Sequence, residues 1–187
     1  MLIILESTVY PGTTEEILLP ILESKKLKAE KDFYLAYSPE RIDLGNKRFE
    51  VGKIPKVVGG IGEKSLRIAT LLYREVMGNA HPVSSPKVAE ATKLLENTFR
   101  TVNIAFVNEV AIACRKFGID VWEVIEAARS KPFGFMAFYP GPGAGGPCLL
   151  PSSHLLTWKA KNEGLEMKLL ETASALNEAR PAGVVEA

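Results

Sequence analysis

The sequence predicts an α/β unit, the back half of a doubly wound parallel sheet, followed by an all-helical unit built on one long helix. Three observations predict it. Short apolar runs alternate with amphipathic helical stretches through residues 1–85, the pattern of strand–helix–strand units. From Lys87 to Phe117 one helical periodicity then runs without a glycine or proline. A glycine- and proline-rich loop, Tyr139–Cys148, separates that helix and its neighbour from the closing helices. The expected division is therefore 1–85 and 86–187.

Leu2–Leu5 is wholly apolar, as a strand buried on both faces of a parallel sheet requires. Tyr10-Pro11-Gly12 breaks it. Thr13 or Thr14 is placed to cap a helix whose first turn carries Glu15 and Glu16, which suit the positive dipole end. Ile17, Leu18, Ile21 and Leu22 form its inward stripe. Phe33–Tyr37 reads as the second strand and ends in the polar loop Ser38-Pro39-Glu40-Arg41. Lys56–Val58 is the third strand, closed by Gly59-Gly60. Ser65–Val76 is a helix with Leu66, Ala69, Leu72 and Tyr73 facing inward, and His81–Val83 is the fourth strand. Parallel strands place Ser7-Thr8 and Ser38-Pro39-Glu40 at the carboxyl edge, where ligands of such sheets bind. A dinucleotide-binding sheet opens with a strand and a Gly-x-Gly-x-x-Gly turn, and no strand of residues 1–85 is followed by one.

Along the long helix Val88, Ala91, Leu95, Phe99, Val102, Phe106, Val110, Ala113 and Phe117 recur every three or four residues. Gly118 follows where a helix C-terminus favours glycine. At about 1.5 Å per residue the helix spans roughly 45 Å, more than one small domain covers. Leu94, Ile104 and Val107 lie off the main stripe, so a second face calls for burial, and a homodimer through Lys87–Phe117 is expected. Asp120 is placed to cap a shorter helix containing Val121, Trp122, Val124 and Ile125. Leu155–Lys161 and Leu165–Leu176 are two closing helices around Gly164, and Pro181-Ala182-Gly183 ends the ordered chain.

Composition narrows the function classes. The 187 residues carry a net charge of +1, so neither nucleic acid nor an anionic membrane surface is indicated as a partner. No run approaches the roughly 20 apolar residues of a membrane span. Met1–Leu5 is short and Glu6 follows at once, which does not describe a signal peptide. Cys114 and Cys148 make no disulfide framework, and a reducing, cytoplasmic setting is expected. His81 and His154 are too isolated to suggest metal binding.

Chemistry concentrates at three places. Four glycines and three prolines in Tyr139–Cys148 exclude helix and strand and shape a bare backbone cradle that ends on a thiol. A cysteine before a helix N-terminus and near a lysine is activated as a thiolate; the same loop also reads as a rigid connector carrying a buried cysteine. Lys93 and Asn97, one helical turn apart, lie away from the main apolar stripe. That face reads as solvated helix polarity, or as an ammonium and an amide aimed at an oxyanion. Glu40 is a surface carboxylate beside Arg41, or a catalytic one at the strand edge. Cys114 reads as a core cysteine, and Ser152 has no His/Asp companions for a triad.

Five stretches occur together and in order: Glu6-Ser7-Thr8-Val9-Tyr10-Pro11-Gly12-Thr13-Thr14, Ser38-Pro39-Glu40-Arg41, Ile54–Gly60, Lys93-Leu94-Leu95-Glu96-Asn97-Thr98-Phe99-Arg100 and Gly141–Cys148. In these the chain resembles the UDP-glucose/GDP-mannose dehydrogenases, with a likeness to the bacterial branch that oxidises UDP-N-acetyl-hexosamines (glucosamine or mannosamine). The resemblance covers essentially the whole chain but not the whole family architecture. It implies a fragment: the last third or so of a Rossmann-like NAD-binding domain plus the central helical, dimer-forming domain, without the C-terminal UDP-binding domain. Such a fragment is not expected to turn over alone.

The resemblance implies NAD as cofactor, a UDP-sugar as substrate, and oxidation of the C6 alcohol to a carboxylate. Cys148 is then the nucleophile that forms the thiohemiacetal and thioester. Lys93 and Asn97 stabilise the oxyanions, Glu40 serves thioester hydrolysis and Thr8 helps place a water. Gly143, Gly145 and Gly146, with Phe138 and Tyr139, contact the sugar nucleotide, and Ser7, Thr8 and Glu40 lie on the cofactor side. Two departures stand out. The family loop runs Gly-Gly-His-Cys-Ile-Pro-Val-Asp, whereas here it is Gly146-Pro147-Cys148-Leu149-Leu150-Pro151-Ser152. Pro147 removes a backbone N–H from the cradle, and Ser152 cannot carry the charge of the aspartate. A non-catalytic dimerisation module built on the long helix, an inactive remnant of the family and a stand-alone thiol enzyme remain as alternatives.

Overall fold

The computed structural model describes residues 1–24, 26–41 and 53–185. The chain divides into two compact units, Met1–Leu95 and Glu96–Ala187.

In the first unit the strands are β1 (Leu2–Leu5), β2 (Tyr34–Tyr37), β3 (Lys56–Gly60) and β4 (Ala80–Val83), ordered β1-β2-β3-β4. The pairs β1–β2 and β3–β4 are parallel, as expected, while β2–β3 is antiparallel. Because β1 and β2 run together, the segments after them, Ser7-Thr8 and Ser38–Glu40, leave the sheet at one edge. The reversed β3 brings its first residue, Lys56, to that same edge. Leu35, Ala36, Tyr37, Val57 and Val58 of the inner strands are buried, whereas β1, at the edge of the described sheet, is half-buried.

Gly59 and Gly60 do not close β3 but belong to it, and each is needed for close approach. A Cβ on Gly59 would lie 2.2 Å from the Ser85 carbonyl, and one on Gly60 2.2 Å from the Leu66 amide. Helix α2 (Glu63–Met77) therefore presses directly on β3, burying Ser65, Ala69 and Tyr73 at four-residue spacing. Leu72, expected to face inward, is 43% exposed: it lies off the row that Ala69 and Tyr73 define.

The helix after β1 opens as a π-helical stretch, Thr13–Leu18, and continues as α1 (Leu19–Glu23). Neither threonine caps it. Gly12 holds the cap position at φ 104°, and the orphan amides go to a distant carboxylate. Glu90, fully buried, accepts Gly12 N at 2.6 Å, Thr14 N at 2.8 Å and Thr14 Oγ1 at 2.6 Å. Helix α2 is capped likewise: Glu30 accepts Lys64 N and Ser65 N, each at 2.9 Å. Ile17 and Ile21, expected to be inward, are exposed at 48% and 61% on this short helix.

Helix α3 (Pro86–Phe117) is the long helix, ended by Gly118 at φ 70°. Its faces are the reverse of the periodicity reading. Leu95, Phe99, Phe106 and Phe117 on the apolar stripe are 67%, 48%, 61% and 72% exposed. The buried residues are Pro86, Ala89, Glu90, Lys93, Leu94, Asn97, Thr98, Thr101, Ala105, Val107, Asn108 and Cys114. Polar groups on that face are buried because main-chain carbonyls, amides and hydroxyls meet them, as described below.

In the second unit Asp120 caps α4 (Val121–Arg129) through Trp122 N at 3.0 Å, as the sequence predicts. Helix α5 (Leu149–Asn162) starts six residues before its expected start, with Pro151 in the first turn, where a missing N–H costs nothing. Helix α6 (Lys168–Val185) runs through Pro181 instead of ending there. The Asn177 carbonyl, left without its Pro181 donor, lies against Gly143 of the loop: a Cβ at Gly143 would sit 2.4 Å from it.

Candidate functional site

At the carboxyl edge of β1 and β2 two buried ammonium groups hold one turn. Lys56, 4% exposed, donates from Nζ to the Pro39 carbonyl at 3.1 Å and to Glu6 Oε1 at 2.9 Å, with Glu40 Oε2 at 3.6 Å. Lys93, 8% exposed, donates from Nζ to the Glu40 carbonyl. Tyr73 donates its hydroxyl to Glu6 Oε1 at 2.7 Å and lies under the Lys56 ammonium, 5.2 Å from the ring centroid. Burial raises the Glu6 pKa, and the hydrogen bonds from Tyr73 and Lys56 outweigh it, leaving Glu6 below the usual carboxylate value. Burial, with the Glu6 carboxylate as acceptor, pushes the Tyr73 phenol up.

The Glu40 side chain, half-exposed at 52%, stands outward from this anchored turn. Ser7 is exposed and its carbonyl accepts the Tyr37 hydroxyl at 3.1 Å, while Thr8 is half-buried. The first unit thus brings Ser7, Thr8, Glu40 and Lys93 to one edge. The face of α3 that includes Lys93 is packed rather than solvated.

The second unit gathers Asn97, Cys148 and Ser152. Cys148 is exposed and precedes α5. Asn97, 3% exposed, donates from Nδ2 to the Cys148 carbonyl at 3.2 Å and to Ser152 Oγ at 2.8 Å. The loop before it is pinned at its base and open at its tip. Asn108 Oδ1 accepts Gly141 N at 3.0 Å and Arg180 Nε at 3.3 Å. Tyr139 stacks on Trp122 with centroids 5.8 Å apart and donates to Glu126 at 2.8 Å. Phe138 meets Phe99 edge to face at 5.9 Å and lines an apolar cavity of about 530 Å³ with Phe106, Phe135 and Met136. Gly146 needs its glycine for φ 94°, whereas Gly145 faces open space. Among the described residues no group of three His, Cys, Asp or Glu could hold a metal. Cys114 is buried, as a core cysteine should be.

The profile of the UDP-glucose/GDP-mannose dehydrogenase NAD binding domain matches residues 1–77, and that of the same family's central domain residues 87–179. The chain belongs to this family. It is 42% identical over 98% of its length to a UDP-N-acetyl-D-glucosamine 6-dehydrogenase of Pseudomonas aeruginosa, spanning 44% of that relative. It is 40% identical to a UDP-N-acetyl-D-mannosamine dehydrogenase of Methanocaldococcus jannaschii, covering 99% of the chain and 41% of the relative. Its fold superposes on the UDP-D-ManNAc dehydrogenase structure from Pyrococcus horikoshii with a TM-score of 0.89 at 38% identity, over 99% of the chain and 43% of that structure. The chain thus spans less than half the length of each of these three relatives.

Three residues of these clusters escaped sequence reasoning. Lys56 and Glu6 lie inside two of the ordered motifs with no chemistry of their own in the sequence pattern, and Glu90, one turn before Lys93, reads as an ordinary helix acid. Glu-x-x-Lys-x-x-x-Asn puts three polar residues on one helical face, and that alignment was the available signal.

Proposed function

We propose that this chain supplies part of the active site of an NAD-dependent dehydrogenase that oxidises the C6 alcohol of a UDP-N-acetyl-hexosamine to a carboxylate. The observation that carries the reading is the exposed Cys148 thiol at the start of α5 with its carbonyl bound by Asn97. The carboxyl edge offers exposed Ser7, half-buried Thr8 and the outward Glu40 carboxylate, which fit the nicotinamide end of NAD. No strand of residues 1–85 is followed by a Gly-x-Gly-x-x-Gly turn for the pyrophosphate; the match to that pattern, Gly141–Gly146, lies in the loop before α5. When bound, the cofactor accepts a hydride in each of the two oxidations.

Cys148 adds as a thiolate to the C6 aldehyde carbon, and the carbonyl oxygen becomes an oxyanion. Lys93 donates to that oxygen, and to the later tetrahedral one, while Asn97, whose two N–H groups go to the Cys148 carbonyl and Ser152 Oγ, holds the loop end that carries the sulfur. After the second hydride leaves C6, the carbon is a thioester of Cys148. Glu40 takes a proton from a water held by Thr8 as its oxygen attacks the thioester. The C–S bond breaks, the electron pair returns to sulfur, and the carboxylate leaves. The exposed stripe of α3, with Leu95, Phe99, Phe106 and Phe117, is the face we assign to a homodimer.

Grafting residues 1–187 into the corresponding span of the Pyrococcus horikoshii protein tests the reading. NADH formation from NAD⁺ and a UDP-N-acetyl-hexosamine is expected with the graft and lost with Cys148→Ser. Undiminished NADH formation by the serine variant refutes it.

A further inference from the structure

Cys148 closes a loop whose tip glycines, Gly145 and Gly146, border open space, a Cβ built on either meeting nothing within 4 Å, so something else must fix its last residue. Three donors converge on the Cys148 carbonyl: Asn97 Nδ2 at 3.2 Å, Ser152 N at 3.3 Å and the Ser152 hydroxyl. The other hydrogen of the Asn97 amide points to Ser152 Oγ at 2.8 Å, so both its N–H groups are engaged. Ser152 is fully buried, and water does not compete for these bonds. The hydroxyl stands in the middle, accepting from Asn97 while donating to Cys148. Alanine can do neither, and a carboxylate can accept but not donate.

We propose that Ser152 is a positioning residue for the Cys148 thiol, its hydroxyl closing a ring of hydrogen bonds with Asn97 that sets the backbone from which the sulfur projects. The proposal rests on the reading of Cys148 as the nucleophile. It gives a use to the neutral residue found where the family loop carries aspartate: Ser152 keeps the loop end in place through a donor and an acceptor instead of a charge. Cys148 holds the cap position of α5, and releasing its backbone lets the sulfur leave the place at which the loop end presents it.

The test is the rate of alkylation of Cys148 by iodoacetamide in the 187-residue chain, read by peptide mass spectrometry. Buried Cys114 in the same sample reports global opening. Ser152→Ala is expected to slow Cys148 about threefold, and Asn97→Asp to slow it as well. Ser152→Thr keeps the hydroxyl and restores the wild-type rate, with Cys114 equally slow in every variant. The proposal is overturned if Ser152→Ala and Asn97→Asp leave the Cys148 rate unchanged. It is also overturned if Cys114 changes in parallel, or if the threonine variant behaves like the alanine. Alkylation needs neither NAD⁺ nor sugar, so its failure leaves the dehydrogenase reading standing. A fully active Cys148→Ser graft would sink that reading and leave the ring untouched.

Discussion

Glu90→Gln exchanges one oxygen for an amide nitrogen inside a fully buried cap. Glu90 Oε1 takes both Thr14 donors and Oε2 takes Gly12 N at 2.6 Å. Glutamine can keep the Thr14 bonds through its carbonyl oxygen, but its NH₂ then faces the Gly12 N–H, donor against donor. The loss combines a charge-assisted hydrogen bond, about 1.5–3 kcal/mol, with an orphaned buried donor, about 1–3 kcal/mol; the two overlap, and about 3 kcal/mol is expected. Hydrogen exchange at the Gly12 and Thr14 amides then accelerates roughly 100-fold, since about 1.4 kcal/mol is tenfold. Tryptophan fluorescence is the wrong probe, because Trp122 and Trp158 both lie in the second unit. Acceleration below about fivefold would show that Glu90 does not hold the turn after β1.

Glu6 is held below the usual carboxylate value, so its contribution to stability is present above the unfolded value and is lost as pH falls through the lowered one. Tyr73→Phe removes one of the bonds responsible, and urea midpoints between pH 6 and 3 should fall less steeply in the variant; an unchanged slope contradicts the assignment. Gly59→Ala drives a methyl into the Ser85 carbonyl and should destabilise by about 3 kcal/mol in urea unfolding, with backbone unable to yield. Gly145→Ala enters open space and should stay within about 0.5 kcal/mol, so a fall in activity of the graft there reports on ligand contact. Phe106→Glu, on the exposed stripe, should shift sedimentation toward monomer with little change in melting; an unaltered sedimentation profile removes this face as the dimer contact.

What the sequence disclosed was local. The four strands, the length of α3, its stop at Gly118 and the Asp120 cap depend on neighbours within a few residues, and each was readable. The reading failed where a partner lies far along the chain. Thr13 and Thr14 looked like caps because nothing local reveals a carboxylate 76 residues away. The antiparallel β2–β3 pairing leaves no mark in either strand. The faces of α3 were inverted because periodicity assumes that polar residues seek water. Lys93, Asn97 and Asn108 instead find a carbonyl, a carbonyl with a hydroxyl, and an amide with a guanidinium inside the fold. The motif residues themselves were legible, and their hydrogen-bonding partners were not.

The most direct measurement of the central claim is the covalent state of Cys148 during turnover of the graft carrying Glu40→Gln. With the carboxylate gone, thioester hydrolysis should be slowed, and rapid quenching should find the UDP-uronyl group on the peptide that contains Cys148. Uronate produced at the unmodified rate with no mass added to Cys148, or with the group on Cys114, would contradict the account.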